Sequence, residues 1–315
     1  MKLAFIVDPL DGLKAYKDSS VAMMRAAAAR GHQCWTIQRP TLAWRAGVTC
    51  GRALQVTPTG DDHAWYVADA EAVTPLRDFD AVLMRQDPPF DFEYITATWL
   101  LERAEAEGAR IFNRPRAIRD HSEKVAIAEF PQLTTTTLIA AAAVELQAFI
   151  DEMQDCVLKP LDGMGGSSVF RVRAADPNRN VIVETLTACG ARTIMAQRYL
   201  PEIAAGDKRI LIVAGEPVPY ALARIPKAGD CRGNLAAGGT GHAQPLSPRD
   251  REIAAALGPL LWARGLLLVG IDVIGDCLTE INVTSPTCFV EIAQQTGYDV
   301  AGHFVAALES ACAGC

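Results

Sequence analysis

Three oxygen-bearing side chains stand among apolar residues in the segment GIDVIGDCLTEINVTSP, residues 270–286. Asp272, Glu280 and Asn282 lie on two predicted short strands that a Gly-Asp turn joins. Carboxylate and amide oxygens suit Mg²⁺, and ionised carboxylates among apolar residues need a partner or a metal. The segment therefore predicts a magnesium site. A solvated hairpin edge with incidental acidic residues is the alternative.

The predicted hairpin sets a geometric condition on this site. Glu280 and Asn282 share one strand face, because side chains alternate with a period of two. A strict two-residue turn at Gly275 and Asp276 would place Asp272 on the opposite face. A three-residue loop or a β-bulge is therefore required if the three side chains are to meet.

A second candidate site is the segment KPLDGMGGSS, residues 159–168. A predicted strand ends at Lys159, and the loop after it carries Gly163, Gly165 and Gly166. Glycines allow backbone N–H groups to close over phosphates, and Lys159 adds a positive charge. The spacing fits neither a Walker A loop nor a dinucleotide fingerprint, and a flexible hairpin tip remains the alternative.

Several cations form a third signal. Lys124 lies near the start of a predicted helix, while Lys208, Arg209 and Arg224 lie on a predicted hairpin. Lys208 and Arg209 each alternate with apolar residues, so one of them is expected to face the interior. A buried cation needs an anion, which a triphosphate would supply. Solvent-facing strand cations are the alternative.

Composition limits the class of ligand. The chain has 315 residues, half of them hydrophobic, and a net charge of -7. This length allows a large core and two or three domains. The negative charge argues against nucleic acid or an anionic membrane as the main partner, so a small-molecule ligand is expected.

The sequence predicts a cytoplasmic protein with reduced thiols. Neither a signal peptide nor an apolar run of membrane-spanning length is visible. Nine scattered cysteines, an odd number, do not form a disulfide framework. Cys312 and Cys315 form a CxxC, which we expect to be a tail with free thiols.

The elements divide the chain into three predicted parts. In residues 1–121, strands alternate with helices, which favours a parallel α/β layer. The segment 40–75 is weakly patterned. The predicted elements are a strand at 2–7, a helix at 21–30, a strand at 79–84, a helix at 94–107 and a strand at 110–113.

The second and third parts are residues 122–200 and 201–315. Residues 225–241, with five glycines and no apolar period, are predicted to form a mobile lid, or else a linker. The other predicted elements are helices at 122–130 and 140–153, strands at 156–159, 168–172 and 194–197, and a hairpin at 208–225 turning at 215–217.

Long motifs in a fixed order resemble those of the bacterial glutathione synthetase family, within the ATP-grasp superfamily. The resemblance runs from Lys2 to about Glu291. It implies an α/β fold, with an N-terminal parallel α/β domain before the two α+β subdomains of an ATP-grasp fold. The motifs are KDSS at 17–20, LMRQDPPFD at 83–91, VLKPLDGMGGSSVFRV at 157–172, RGNLAAGG at 232–239 and GIDVIGDCLTEINVTSPT at 270–287.

The resemblance implies a ligase that joins γ-glutamylcysteine and glycine through an acyl phosphate, using ATP and two Mg²⁺ ions that Mn²⁺ could replace. Asp272, Glu280 and Asn282 would hold the metal ions. Arg209 and Arg224 would be catalytic. The nucleotide would be bound by Lys124, Lys159, Gly163, Gly165, Gly166, Ser167, Gln197, Arg198, Tyr199, Leu200, Asp207, Arg209 and Arg224.

Substrate recognition is assigned to five residues. Arg85 follows a predicted strand and can hold a carboxylate bidentately, with a surface ion pair to Asp87 or Asp91 as the alternative. Asp18 and Ser19 would meet the glutamyl amino end of the dipeptide. The substrate-binding set is Asp18, Ser19, Arg85, Arg232 and Gly239.

Two other functions stay open at this point. One is an ATP-grasp ligase that joins a different carboxylate and amine, such as D-alanine or a glutamate tail. The other is a non-catalytic ATP-binding regulator, which would be expected to lose part of the metal cluster. The resemblance further implies a homo-oligomer, such as a tetramer, with no nucleic acid or membrane partner.

Overall fold

The computed structural model describes residues 1–314, so Cys315 of the predicted CxxC tail lies outside the described residues. Three sheets organise the fold: one of seven strands, one of four and one of five. None of the helices in residues 1–314 is long and apolar enough to cross a membrane.

The seven-stranded N-terminal sheet has the order β3-β4-β2-β1-β6-β7, with β5 paired to β4. Its elements are β1 (Lys2–Val7), α1 (Ser19–Ala29), β2 (Gln33–Gln38), β3 (Ala43–Arg45), β4 (Val48–Pro58), β5 (Tyr66–Pro75), β6 (Ala81–Met84), α2 (Phe92–Ala106), β7 (Ile111–Phe112) and α3 (Pro115–Asp120).

The predicted parallel layer is confirmed for β1, β2, β6 and β7. Leu3 and Phe5 of β1 pack in the cluster that contains α1, whereas Ala4 and Ile6 pack in the cluster that contains α2. Helices therefore cover both faces, as the continuous apolar run of a parallel strand requires.

The weakly patterned segment 40–75 forms three strands, β3 to β5, which pair antiparallel. Most of β5 is exposed, so it has no buried period for a pattern to reveal.

The four-stranded central sheet is antiparallel, in the order β10-β9-β11-β8. Two helices share its apolar cluster through Leu146, Ile150 and Val183. The elements are β8 (Thr137–Ala140), α4 (Ala143–Met153), β9 (Asp155–Pro160), β10 (Phe170–Arg173), α5 (Arg179–Thr187) and β11 (Ile194–Arg198).

One helix predicted in this part starts later than expected, and another was wrong. The helix predicted at 140–153 begins at Ala143, because Thr137–Ala140 pairs with β11 as a strand. The helix predicted at 122–130 is only the 3-10 turn Val125–Glu129. Glu123, just before this turn, is held in place by the C-terminal part of the chain. Its carbonyl accepts from the Ile281 N–H, and its carboxylate accepts from the Thr284 hydroxyl.

The five-stranded C-terminal sheet is antiparallel, in the order β14-β13-β12-β15-β16. The predicted hairpin is confirmed as β12 and β13, but its turn is at Ala214 and Gly215 rather than at 215–217, because Glu216 and Pro217 already pair with β12. The elements are β12 (Asp207–Val213), β13 (Glu216–Ile225), β14 (Thr240–Pro245), α6 (Pro248–Ala263), β15 (Leu268–Ile274), β16 (Cys277–Asn282), α7 (Phe289–Thr296) and α8 (Val300–Ala313).

The C-terminal sheet packs on both faces. Ile210 and Ile212 lie in a cluster with α6, while Leu211 and Val213 lie in the cluster that includes α1, α7 and α8. The first and third parts of the chain therefore share one apolar core. This core holds the carboxyl end of the parallel sheet beside the β15–β16 hairpin.

Candidate active site

A β-bulge brings the two predicted metal-binding carboxylates together. Val273 pairs with Leu278 across the hairpin, but Asp272 pairs with Glu280, so Thr279 is the extra residue. The Thr279 hydroxyl donates to the Asp272 carbonyl at 3.1 Å. Of the two predicted arrangements, a three-residue loop or a β-bulge, the structure has the bulge, and both carboxylates lie on one face of the sheet.

Asp272 lies between two buried arginines. Arg209, on the neighbouring β12, donates to it through Nε at 2.5 Å and through Nη2 at 3.0 Å. Arg224 approaches the same carboxylate at 2.9 Å. Burial alone would raise the pKa of Asp272, but the two guanidinium groups lower it below its ordinary value. Asp272 is therefore ionised.

Glu280 lies between two lysines. Lys159 donates to its carboxylate at 3.0 Å, and Lys124 lies 3.8 Å away. Burial opposes ionisation, yet these two ammonium groups hold the pKa of Glu280 below its ordinary value. Lys124 also donates to the Gly163 carbonyl at 2.7 Å, which ties the glycine-rich loop to this cluster.

Asp207, at the start of β12, completes the charged cluster. Arg224 donates to its Oδ2 atom, while its Oδ1 atom is buried without a hydrogen-bond partner in the described residues. Burial and the nearby Asp272 and Glu280 carboxylates raise the pKa of Asp207 to about 6. An orphaned buried acceptor is costly and indicates a ligand that can donate to it.

The donor set at the hairpin fits Mg²⁺. Asp272 and Glu280 are held in the ionised state that a metal ligand needs. The Asn282 side-chain nitrogen donates to the Gly270 carbonyl at 3.1 Å, which fixes the orientation of its amide. Within residues 1–314, no cluster combines three His, Cys, Asp or Glu side chains at a metal-binding distance, so any bound cation needs oxygens from elsewhere, such as phosphates.

A cleft that is partly open to solvent lies beside the cluster, between the central and C-terminal sheets. Nine predicted site residues line it: Lys159, Gln197, Arg198, Tyr199, Leu200, Asp207, Arg232, Asp272 and Glu280. Its apolar walls could not be predicted from the sequence, because single residues on separate elements carry no motif. These walls are Val157, Val169, Ile203 and Ile274.

Side-chain hydrogen bonds hold the end of β11, which carries the predicted nucleotide-binding residues Gln197 and Arg198. Gln197, nearly buried, donates to the Thr137 hydroxyl at 3.1 Å, and Arg198 donates to the Thr135 hydroxyl at 3.4 Å. The Arg171 guanidinium stacks over the Tyr199 ring at 3.5 Å, which orders the exit from β11.

The glycine-rich loop requires glycine where it meets the lid segment, residues 225–241. Gly166 has a φ of +82°, and an added Cβ would lie 2.8 Å from the Asn234 side-chain oxygen. Arg232 of the lid segment donates to the Gly166 carbonyl at 3.3 Å. The strand predicted from Ser168 begins at Phe170, because Ser168 has a φ of +56°.

The lid segment is closely packed at its own glycines. A Cβ on Gly239 would lie 2.4 Å from the Gly233 carbonyl oxygen, and one on Gly233 would lie 2.3 Å from that of Arg224. Neither position can hold a side chain without backbone movement. Gly239 therefore keeps the lid segment compact, while its predicted contact with substrate stays a prediction.

Arg85 is buried at the boundary between the N-terminal and C-terminal parts. Its Nε donates to the Ser20 hydroxyl at 3.2 Å and its Nη2 to the Pro286 carbonyl at 2.8 Å. Among residues 1–314, its Nη1 is buried without a hydrogen-bond partner, and Arg85 forms no ion pair with Asp87 or Asp91. An unpaired buried guanidinium indicates an anionic ligand.

Asp18 and Ser19 lie at the start of α1. The Asp18 carboxylate caps the helix by accepting from the Val21 N–H at 2.9 Å, and the Ser19 hydroxyl accepts from the Phe289 N–H at 3.3 Å. Glu291 lies nearby, with one carboxylate oxygen buried and unpartnered and a pKa that burial raises. Glu291 was not predicted as a site residue. Its only signal in the sequence is an acidic side chain in the first turn of α7.

Family comparisons agree with this arrangement of parts. Residues 1–119 match the family described as "Prokaryotic glutathione synthetase, N-terminal domain", and residues 123–297 match its "ATP-grasp domain". Among solved structures, the fold is similar to D-cycloserine synthetase DcsG, with a TM-score of 0.67, 17% identity and coverage of 99% of this chain and 100% of that chain. It is also similar to ATP-grasp ligase PsnB complexed with minimal precursor, Mg and ADP, with a TM-score of 0.61, 17% identity and coverage of 98% of each chain.

Curated relatives are similar over nearly the whole length. Glutathione synthetase of Ralstonia nicotianae is 59% identical over 311 residues, which cover 99% of this chain and 96% of that protein. Glutathione synthetase of Nitrosomonas europaea is 60% identical over 312 residues, which cover 98% of each protein. The chain belongs to the prokaryotic glutathione synthetase family, within the ATP-grasp fold.

Proposed function

We propose that this chain catalyses the ATP-dependent ligation of γ-glutamylcysteine and glycine to glutathione. The observation that carries the proposal is the buried cluster in which Asp272 lies between Arg209 and Arg224. ATP phosphorylates the C-terminal carboxylate of the dipeptide, and the glycine amine attacks the acyl phosphate. Glutathione, ADP and phosphate leave.

The nucleotide is assigned to the cleft between the central and C-terminal sheets. The backbone of Gln197 to Leu200 binds the adenine, and the orphaned Oδ1 of Asp207 accepts from a ribose hydroxyl. Lys124 and Lys159 hold phosphates, and the N–H groups of the glycine-rich loop close over them. The loop residues in this role are Gly163, Gly165, Gly166 and Ser167.

Asp272, Glu280 and Asn282 are assigned to two Mg²⁺ ions, which Mn²⁺ could replace. When bound, the ions neutralise phosphate charge and orient the phosphates for transfer. The Arg209 and Lys159 contacts to the carboxylates keep these side chains oriented before nucleotide binds. Ligand orientation by surrounding groups is usual at protein metal sites.

Arg209 and Arg224 are assigned to the transferring phosphoryl group. Both are buried and both already neutralise Asp272, Arg209 from the neighbouring β12 and Arg224 from β13, one strand further along the sheet. Buried guanidinium groups stabilise charge that develops in a transition state more strongly than exposed ones, because water does not screen them. In other phosphoryl-transfer enzymes one such arginine accelerates the reaction by roughly 10³ to 10⁵.

The dipeptide is assigned to the boundary between the N-terminal and C-terminal parts. The unpaired Nη1 of Arg85 takes a substrate carboxylate, and Asp18 and Ser19 lie near the glutamyl amino end. Glu291 offers that amine a carboxylate oxygen. Arg232 and Gly239 of the lid segment cover the dipeptide or glycine from the other side.

We further propose a cytoplasmic homo-oligomer, such as a tetramer. The thiol substrate and the cysteines suit a reducing compartment. Phe92 and Trp99 of α2 stack edge to face at 5.8 Å while both remain exposed, which makes this helix a candidate contact between copies. Light scattering of the purified protein measures the assembly, and a monomer mass would contradict the oligomer.

The function is tested by measuring ATP-dependent phosphate release with γ-glutamylcysteine, with and without glycine, and with D-alanine controls. We expect release that depends on both the dipeptide and glycine. Turnover with D-alanine alone would indicate a different carboxylate and amine, and no turnover would indicate a non-catalytic ATP-binding protein. The curated relatives support neither of these alternatives.

A further inference from the structure

We infer that Asp230 is a positioning residue that orients Arg232 for the ligation. The inference rests on the proposed function, because that function assigns Arg232 to the dipeptide or glycine. Both residues lie in the lid segment, two positions apart, and no substrate contact is needed from Asp230 itself.

The two side chains are joined along one edge of the guanidinium group. The Arg232 Nε lies 3.0 Å from one carboxylate oxygen of Asp230 and 3.2 Å from the other. The Arg232 Nη2 lies 2.8 Å from Oδ2, and the Arg232 backbone N–H donates to Oδ1 at 2.9 Å. The carboxylate therefore fixes the backbone and the side chain of Arg232 together.

This contact leaves the Arg232 Nη1 facing the glycine-rich loop, although the side chain stays partly exposed. The Arg232 Nη1 lies 3.3 Å from the Gly166 carbonyl of the glycine-rich loop, and Arg232 lines the nucleotide cleft. Arginine has two edges that can bind a carboxylate bidentately. Asp230 binds the edge formed by Nε and Nη2. Nη1 is therefore left to face the space between the glycine-rich loop and the lid segment.

The pair is also fixed relative to the catalytic cluster. Gly233 follows Arg232 directly, and its Cα packs so closely against the Arg224 carbonyl that an added Cβ would lie 2.3 Å from the oxygen. An isolated exposed ion pair contributes little, because two flexible side chains must be ordered. Here the backbone at Arg232 and Gly233 is already ordered, so less entropy is lost when the ion pair forms. The expected effect is therefore preorganisation of Arg232.

A double-mutant cycle tests whether Asp230 acts through Arg232. We expect Asp230→Ala to lower kcat/KM for the dipeptide or glycine by about tenfold and Arg232→Ala by about 100-fold. The double variant should match Arg232→Ala within about twofold. Asp230→Glu should recover most of the activity, and ATP affinity without dipeptide should not change in any variant.

A matched control is Asp151→Ala. Asp151 on α4 forms an ion pair with Arg179 at the start of α5, at 2.5 Å and outside the site. We expect normal kinetics from this variant. Losses from Asp230→Ala and Arg232→Ala that simply multiply in the double variant, or an equal loss of ATP affinity, would overturn the inference. If the wild-type protein forms no glutathione, the proposed function fails; if it does and the losses multiply, only this inference fails.

Discussion

Asp272 and Glu280 lie opposite each other and both remain ionised, because each has its own two cations. Without these cations, two buried carboxylates on directly paired residues would repel each other, and one of them would keep its proton. With Asp207 included, four cations surround three carboxylates, so the cluster has a positive excess. A nucleotide phosphate would complete its charge balance.

Glu280→Gln tests the metal assignment. The substitution keeps the shape and one acceptor oxygen but removes the charge that Lys159 and Lys124 neutralise. We expect kcat at fixed Mg²⁺ to fall by about 100-fold or more, similar to the loss of one preorganised electrostatic group. Steady-state kinetics measure the fall, and thermal unfolding shows whether the fold persists.

The same substitution at Glu216 is the matched control. Glu216 is exposed at the start of β13, on the same sheet but away from the cluster. Its variant should keep full activity. Near-normal turnover of Glu280→Gln would rule out Glu280 as a metal ligand.

Asp207 gives the site a pH dependence. Its pKa is raised from 3.8 to about 6 by burial and by the two neighbouring carboxylates. Below about pH 6 it is protonated and offers a ribose hydroxyl a weaker acceptor. We expect the ratio of wild-type to Asp207→Asn kcat/KM for ATP to rise with a midpoint near pH 6. The ratio cancels the titration of ATP itself.

The stability effect of Asp207 has the opposite sign. Between about pH 4 and pH 6 the folded protein keeps a proton that the unfolded chain has lost, so this group lowers the free energy of unfolding as pH rises through that window. Asp207→Asn should remove this slope in urea titrations. A kinetic ratio that stays flat with pH would contradict the assignment of Asp207 to the nucleotide.

At the scale of elements, the sequence was most informative where the pattern was local. The need for a bulge or a three-residue loop near Asp272 followed from the two-residue period alone, and Thr279 provides a bulge. The strand Thr137–Ala140 was missed because its pairing with β11 decides its structure. A short run of Thr, Leu and Ile before several alanines does not distinguish a strand from a helix start.

Within the site, residues in motifs were predictable and residues joined by tertiary contact were not. Arg85 could be placed at a strand end, but its unpaired Nη1 depends on Ser20 and Pro286, which are distant in sequence. Asp230 and Glu291 carry no motif of their own. Their roles follow from what surrounds them after folding.

Limited trypsin digestion tests the lid segment. Lys227 is exposed in a stretch with few buried residues, so local opening should expose the peptide bond after it, whereas Asp230 holds Arg232 in place. We expect cleavage there in the ligand-free protein, and protection when a non-hydrolysable ATP analogue and the dipeptide are both present. Mass spectrometry of the fragments identifies the sites.

Lys208 and Arg209 provide the internal control, because they lie on β12 in the middle of the C-terminal sheet. They should remain uncut in both conditions. Cleavage of the lid segment that ligands do not suppress would show that it does not close over the site.

At the scale of the whole molecule, one buried side chain joins the N-terminal and C-terminal sheets. Asn113 follows β7, and its amide nitrogen donates to the carbonyls of Leu268 at 2.7 Å and Val283 at 2.9 Å. Its amide oxygen accepts from the Leu268 N–H at 2.9 Å. These bonds fix β15, which carries Asp272, relative to the sheet that positions Arg85.

Asn113→Ala should therefore lower the free energy of unfolding by about 3 kcal/mol, since it leaves buried backbone groups unpaired. Urea titration at constant pH measures the loss. Asn178→Ala, at the start of α5 without a side-chain cap, should change it by less than about 0.5 kcal/mol. Equal effects of the two substitutions would show that Asn113 does not hold the sheets together.

Oxygen transfer tests the acyl phosphate most directly. γ-Glutamylcysteine labelled with ¹⁸O in its C-terminal carboxylate is converted with ATP and unlabelled glycine, and the released phosphate is analysed by mass spectrometry. Attack of the carboxylate on the γ-phosphoryl group predicts that each glutathione formed leaves one ¹⁸O atom in phosphate. Glutathione formation with unlabelled phosphate would contradict the mechanism.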